Sequence, residues 1–307
     1  MQLHRSPLAG FTFEHTIIAA YTWLSNNYVE GDRIFLFGFS RGAYQVRILA
    51  GMIATLGLVF PNNDSQVSIA YELYIKLRTR PSEDVNNHVP FFKETFSRKE
   101  THVHFLGAWD TVPEVELIPP GFVTPPEINL SDDVTEICFF HERQVTFLPH
   151  YVTTTDSESN RDYPRVKEVW FPGTHRDLGL GKDLSSSDSD NSFGDIPFHW
   201  MCTEARRSGL VLDLHPIAPP TLKGNLVPNS TLPFVSWVRE LKPVEQPTHK
   251  YNNKVSFWPR CHLGRPRVVI PGQMIHSSVY SRALRDSGYV PRPKIPADVK
   301  QKVESEE

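Results

Sequence analysis

The sequence predicts an α/β fold with a mostly parallel sheet flanked by helices, and three observations predict it. Short apolar, β-branched runs recur at residues 33–37, 102–109 and 166–171, each about the length of a buried strand. Segments with apolar residues at helical spacing stand between them or follow them. A polar, chemically competent residue follows each of the three runs, at the edge where open parallel sheets keep their sites.

Taken in order, residues 12–28 form an amphipathic helix, with Phe13, Ile17, Tyr21, Leu24 and Tyr28 on one face and Gly31 as its stop. The strand at 33–37 follows, then a helix over 43–54 that Gly57 ends. Asp64-Ser65 can cap a third helix reaching about Arg80, with Val67, Ala70, Leu73, Tyr74 and Leu77 as its apolar face. After the strand at 102–109, residues 112–130 hold Pro113, Pro119, Pro120, Pro125 and Pro126 among apolar side chains. That segment reads as a long loop, either packed on the surface or serving as an apolar lid. Beyond the strand at 166–171, the acidic serine run 183–192 reads as a solvated loop. A helix over 195–208 stops at Gly209. Of the 26 prolines, 13 fall in the last 97 residues, so this region should be extended, with short strands and few helices. The charged end, 299–307, should fray. The expected organisation is an α/β catalytic domain over 1–210 and a Pro-rich C-terminal extension over 211–307, packed on or beside it.

The most specific motif is Gly38-Phe39-Ser40-Arg41-Gly42, because a strand precedes it and a helix follows it. Strand, G-x-S-x-G and helix together make a nucleophile elbow. The serine sits at the tip of a sharp, strained turn, so that its Oγ projects above the sheet. Side chains two residues before and after it should collide with strand or helix, which predicts a steric need for both Gly38 and Gly42. The Arg41 N–H, at the positive end of the helix, is placed to receive an oxyanion. The Arg41 side chain either holds an anionic substrate group or points into solvent.

A nucleophilic serine needs a base, and the base an orienting acid. Asp110 ends the strand at 102–109, and His175 is the first titratable group after the strand at 166–171 and its Pro172-Gly173 turn. The order Ser, Asp, His is the one the elbow fold supplies. Asp110 can also simply cap its turn by an Asx hydrogen bond. Asp177 is the alternative acid, or a brace for the His175 loop. Among the 13 histidines, His104 alternates with apolar neighbours and reads as a packed core imidazole. His141, His150, His199 and His276 lack the strand-end position.

Composition excludes several other classes. The net charge of −3 implies no nucleic-acid-binding polyelectrolyte. Cys138, Cys202 and Cys261 are odd in number and far apart, forming neither a disulfide framework nor a zinc pattern, and no cofactor is expected. No apolar run approaches the roughly 18 residues of a membrane span, and no apolar signal region follows the basic N-terminal residues, so a cytoplasmic location is expected.

Three segments together resemble one known α/β-hydrolase family: residues 28–44, Gly107-Ala108-Trp109-Asp110-Thr111-Val112, and residues 169–177. It is the family of the catalytic domain of type VI secretion phospholipase effectors, once catalogued as a domain of unknown function and abundant in fungi. The resemblance covers roughly residues 10–210, and the tail at 272–279 is similar to the fungal branch. It implies Ser40 as nucleophile, Asp110 as acid and His175 as base, acting on an ester or lipid substrate, with peripheral membrane contact. Family members begin with a strand ending in Asp-Gly-Thr-x-Asn, a motif this sequence does not contain. The sheet is therefore expected to lack that first strand, and with it one oxyanion donor. His141-Glu142-Arg143 stands where the family has Asp-Glu-Arg, and Leu178-Gly179-Leu180-Gly181 where it favours more glycine. Two functions follow: a serine esterase or phospholipase working through an acyl-enzyme, or a weak or inactive truncated hydrolase-fold protein that acts as a binding module.

Overall fold

The apolar run before Ser40 is too short for a helix, and it folds as strand β1 (Ile34–Phe39) with Ile34 and Leu36 buried and Phe37 exposed. The computed structural model describes residues 7–98, 100–112, 133–139, 166–175, 177, 194–212, 241, 243–249, 255–261, 263–269, 273–280 and 302–304. They form a mixed α/β protein with parallel strand pairs. The chain divides into two compact units, Met1–Val134 with His150–Val166, and Thr135–Pro149 with Lys167–Glu307.

In the first unit, helix α1 (Pro7–Asn27) opens on a proline, whose missing N–H is no loss in a first turn. After β1 come helix α2 (Arg41–Leu56), strand β2 (Leu58–Val59), helices α3 (Asp64–Thr79) and α4 (Glu83–Phe96), and strands β3 (Ser97–Arg98) and β4 (Val103–Trp109). Strands β1 and β4 pair in parallel, from Phe35 opposite Phe105 to Phe39 opposite Trp109. Strand alternation then sorts the side chains. Ile34, Leu36, Leu106 and Ala108 enter one core with Ile48 and Met52 of α2. Phe37 packs its ring against Phe105 and Trp109, with centroids 5.7 and 6.1 Å apart.

Where α2 turns into β2, a buried phenol takes over the backbone hydrogen bonding. The Tyr21 hydroxyl donates to the Gly57 carbonyl at 2.6 Å and accepts from the Val59 N–H at 3.3 Å. Burial pushes the Tyr21 pKa up, so the phenol remains protonated and able to donate. Gly57 takes φ +76°, and a Cβ there would lie 2.6 Å from the Arg98 carbonyl oxygen. Arg98 fastens the same corner, donating to the carbonyls of Ser25 and Val59 at 3.1 and 3.0 Å. Its guanidinium lies over the rings of Tyr28 and Phe60.

Strand β5 (Asp133–Phe139) precedes β6 (Val166–Phe171) in the chain. In the second unit, β6 pairs in parallel with β9 (Met274–His276), and β9 in parallel with β10 (Lys302–Glu304). Helix α5 (Asp195–Arg207) is tied to β6 by a buried ion pair, Lys167 to Glu204 at 2.7 Å, and Arg207 reaches the other oxygen of Glu204 at 2.7 Å. Strands β7 (Pro243–His249) and β8 (Val255–Cys261) form an antiparallel pair of two edge strands, which explains how they tolerate Pro243, Pro247 and Pro259.

Several expectations change. The N-cap position of the third helix is Asn63, which makes no side-chain capping bond, and Asp64 is its first helical residue, where its charge suits the helix dipole. Helix α4 was not foreseen because Pro90 lies inside it; its start is nevertheless marked by Ser82, whose hydroxyl accepts from the Val85 N–H at 3.2 Å. His104 is half-buried and edge-on to Phe35 at 5.2 Å rather than packed in the core. Residues 302–304 do not fray, since pairing with β9 holds them. The proposed lid over 113–130, the acidic run 183–192, and residues 141–143 and 178–181 lie outside the described residues.

Tyr21→Phe removes one hydroxyl and leaves the Gly57 carbonyl and the Val59 N–H buried without it. It should cost about 1–3 kcal/mol of unfolding free energy in urea titration. An unchanged midpoint would mean that neither group depends on the phenol.

Candidate active site

A single residue separates β1 from α2: the strand ends at Phe39 and the helix begins at Arg41. Ser40 therefore makes the whole change of direction, with φ 57° and ψ −120°. A left-handed φ on a β-branched or polar L-residue is uncommon and carries strain, which tends to persist at functional positions. Serine at a helix start ordinarily caps it, yet Ser40 makes no side-chain capping bond. Its main chain is fixed instead by the end of β4. The Ser40 N–H donates to the Trp109 carbonyl at 2.9 Å, and the Val112 N–H donates to the Ser40 carbonyl at 3.3 Å.

Those two bonds bracket Asp110. It too has a left-handed backbone, φ 46°, and it is wholly buried. The structure thus brings Ser40 and Asp110 together at the ends of neighbouring parallel strands, both in strained conformations. Arg41 is exposed at the first helical position, where the N–H groups have no partner within the helix.

The two glycines of the turn differ. A Cβ on Gly38 would stand 2.5 Å from the Gly42 carbonyl oxygen and 2.6 Å from the Ala43 nitrogen, so no side chain fits. A Cβ on Gly42 meets no described atom within 4 Å. The expected steric need for Gly42 is overturned: it sits in the first turn of α2, at a position where a Cβ has open space.

In the second unit, His175 lies four residues beyond β6 and is buried, 6 % exposed. Gly173, at φ 123°, makes the bend before it, in a conformation that favours glycine. Asp177 closes the turn as in a capping box. Its Oδ2 accepts from the Thr174 N–H at 2.6 Å and from the Thr174 hydroxyl at 2.9 Å, while the Asp177 N–H donates to the Thr174 carbonyl at 3.0 Å.

One residue was misplaced from sequence. His276 does end a strand, β9, and it is 3 % exposed. The three-residue strand Met274-Ile275-His276 is too short to register as a periodic pattern; it is a strand because β6 pairs with it. Among the described residues no group of His, Cys, Asp or Glu could hold a metal ion. No described helix is long and apolar enough to cross a membrane.

Comparison with known proteins adds two findings. The family described as "T6SS, Phospholipase effector Tle1-like, catalytic domain" matches residues 3–204. An uncharacterized protein of Saccharomyces cerevisiae, YEL023C, is 38 % identical over 114 residues, which are 36 % of this chain and 17 % of the yeast protein. The chain therefore matches less than a fifth of the length of that curated relative. No solved structure matches the chain.

The asymmetry of the turn is testable. Gly38→Ala should lower stability by at least about 2 kcal/mol through overpacking against backbone. Gly42→Ala should be neutral, or stabilising by up to about 1 kcal/mol, because alanine favours a helix over glycine. Chemical denaturation of both variants checks this, and equal losses would refute the asymmetry.

Proposed function

The chain belongs to the family of Tle1-like type VI secretion phospholipase effector catalytic domains, and from that premise we propose that it is a serine hydrolase of carboxylic esters and lipids. What carries the reading is that Ser40 and Asp110 share one strand-end corner in left-handed backbone, joined through the Trp109 and Val112 bonds. The proposed fold is α/β-hydrolase-like, with a catalytic domain over 1–210 and the Pro-rich segment 211–307 beside it. The proposed substrate is a phospholipid-like ester met by peripheral membrane contact, and the proposed location is the cytoplasm.

In the proposed mechanism, Ser40 Oγ attacks the substrate carbonyl carbon while His175 takes its proton. The carbonyl oxygen gains negative charge in the tetrahedral intermediate, and the Arg41 N–H helps to hold it. The intermediate collapses, the alcohol leaves with the proton from His175, and an acyl-Ser40 ester remains. Water, deprotonated by His175, then attacks that ester, and as the acid leaves His175 returns the proton to Ser40 Oγ. Asp110 orients the imidazole and stabilises its charged form. Asp177, whose Oδ2 already serves Thr174, is the brace of the turn.

A fluorophosphonate probe tests this on the full chain. Wild type should label and Ser40→Ala should not. Asp110→Asn should lower kcat on a short-chain ester by on the order of 10⁴-fold, and Asp177→Asn by far less. Labelling that survives Ser40→Ala would remove Ser40 as the nucleophile, and a wild type that does not label would leave a binding module as the function. Asp177→Asn costing more than Asp110→Asn would give the acid role to Asp177.

A further inference from the structure

Residues 273–280 lie beyond the family-matched range, 3–204, yet they run along the strand that leads to His175. Met274 and Ile275 pair with Val169 and Trp170 of β6. The next residue, His276, stacks on Phe171, with ring centroids 4.6 Å apart and planes inclined by 23°. Trp200 of α5 meets the same phenylalanine edge-on at 5.5 Å. Phe171 is thus gripped by two aromatic rings, all three buried. It is the last residue of β6, and His175 follows four positions later. Gln273 holds the strand a second time: it accepts from the Trp170 indole N–H at 2.8 Å and donates to Glu168 Oε2 at 3.1 Å.

The hydrogen bonding of His276 decides what it can do. The Ser278 N–H donates to its Nδ1 at 3.2 Å, and the Ser278 hydroxyl lies 2.7 Å from the same nitrogen. A backbone N–H can only donate, so Nδ1 is the acceptor and the neutral ring carries its proton on Nε2. Burial pushes the His276 pKa down to about 4. A ring that is neutral, stacked and committed at Nδ1 is not poised to exchange protons near pH 7. It is well suited to hold a neighbouring strand end in one place.

We propose that His276 is a positioning residue for His175, acting through its stack on Phe171 and pinned by Ser278. The proposal rests on the reading of Ser40 and His175 as nucleophile and base. It makes a segment outside the matched family range part of the machinery that aims the base. A base carried on a turn only four residues past Phe171 inherits any tilt of that strand end, and small misplacements of a catalytic group cost large factors in rate.

The test uses the full chain and a short-chain nitrophenyl ester, with thermal unfolding as a check of folding. His276→Leu, which keeps a side chain that fills the buried site but loses the flat ring, should lower kcat on the order of 10- to 100-fold. KM should stay within about twofold, since substrate binding is not what the ring governs. His276→Phe should restore most of the lost turnover by restoring the stack. The acid limb of the kcat/KM profile, which reports the base, should move in His276→Leu and return in His276→Phe. A folded His276→Leu with wild-type kcat and an unmoved acid limb would overturn the proposal. If His276→Leu does not fold, Ser278→Ala decides, since it keeps the stack and the Ser278 N–H bond and removes only the hydroxyl that helps to pin the ring: a several-fold loss of kcat is expected, and none would overturn the proposal. Ser40→Ala and His175→Ala run alongside. Turnover surviving in them removes the catalytic reading and this proposal together. Turnover abolished in them but normal in His276→Leu removes the positioning role alone.

Discussion

The constraint on which the first unit depends is the turn at Ser40, where a strand must become a helix within one residue. Nothing in the intrinsic preference of serine favours φ 57°. The conformation is enforced from outside, by the Trp109 carbonyl on one side and the Val112 N–H on the other. Parallel pairing of β1 with β4 sets the height of those two groups. Gly38 then has no room for a Cβ, and α2 must start at once with its N–H groups facing the corner. Asp110 is drawn into the same arrangement, because the residue between Trp109 and Val112 that follows the strand must also turn sharply.

The second unit solves a different problem, that of fixing a short turn beyond a strand. Thr174 and Asp177 close the turn locally, through contacts three residues apart. The strand end beneath it is fixed by residues about a hundred positions away, Gln273 and His276. Two buried polar systems run along β6, one from Lys167 to Glu204 and one from Glu168 and Trp170 to Gln273. Each satisfies groups whose burial would otherwise be costly, and each specifies the register of what packs on the strand.

Membership of the phospholipase effector family supplies the class of chemistry, and the match covers residues 3–204. Residues 273–276, which follow the matched part, are instead joined to it by pairing and stacking. Ring geometry at Phe171 and amide bonds at Gln273 illustrate how a segment outside a family's shared range can become structurally inseparable from it.

What the sequence by itself determined is whatever a local pattern can encode. The strands at 33–37, 102–109 and 166–171, the helices α1, α2, α3 and α5, and the serine at the elbow all follow from periodicity and turn chemistry within about 20 residues, though the first strand runs on to Phe39. Even there one prediction failed: Gly38 is sterically required and Gly42 is not, because only the packed backbone shows where a Cβ would point. Helix α4 escaped because Pro90 breaks the local pattern, while its cap at Ser82 and its place in the core allow it to form. Strand β9 and the strand-end position of His276 belong wholly to tertiary structure. Three residues carry no measurable period, and their conformation is set by hydrogen bonds to β6, whose partners in sequence lie about a hundred residues away.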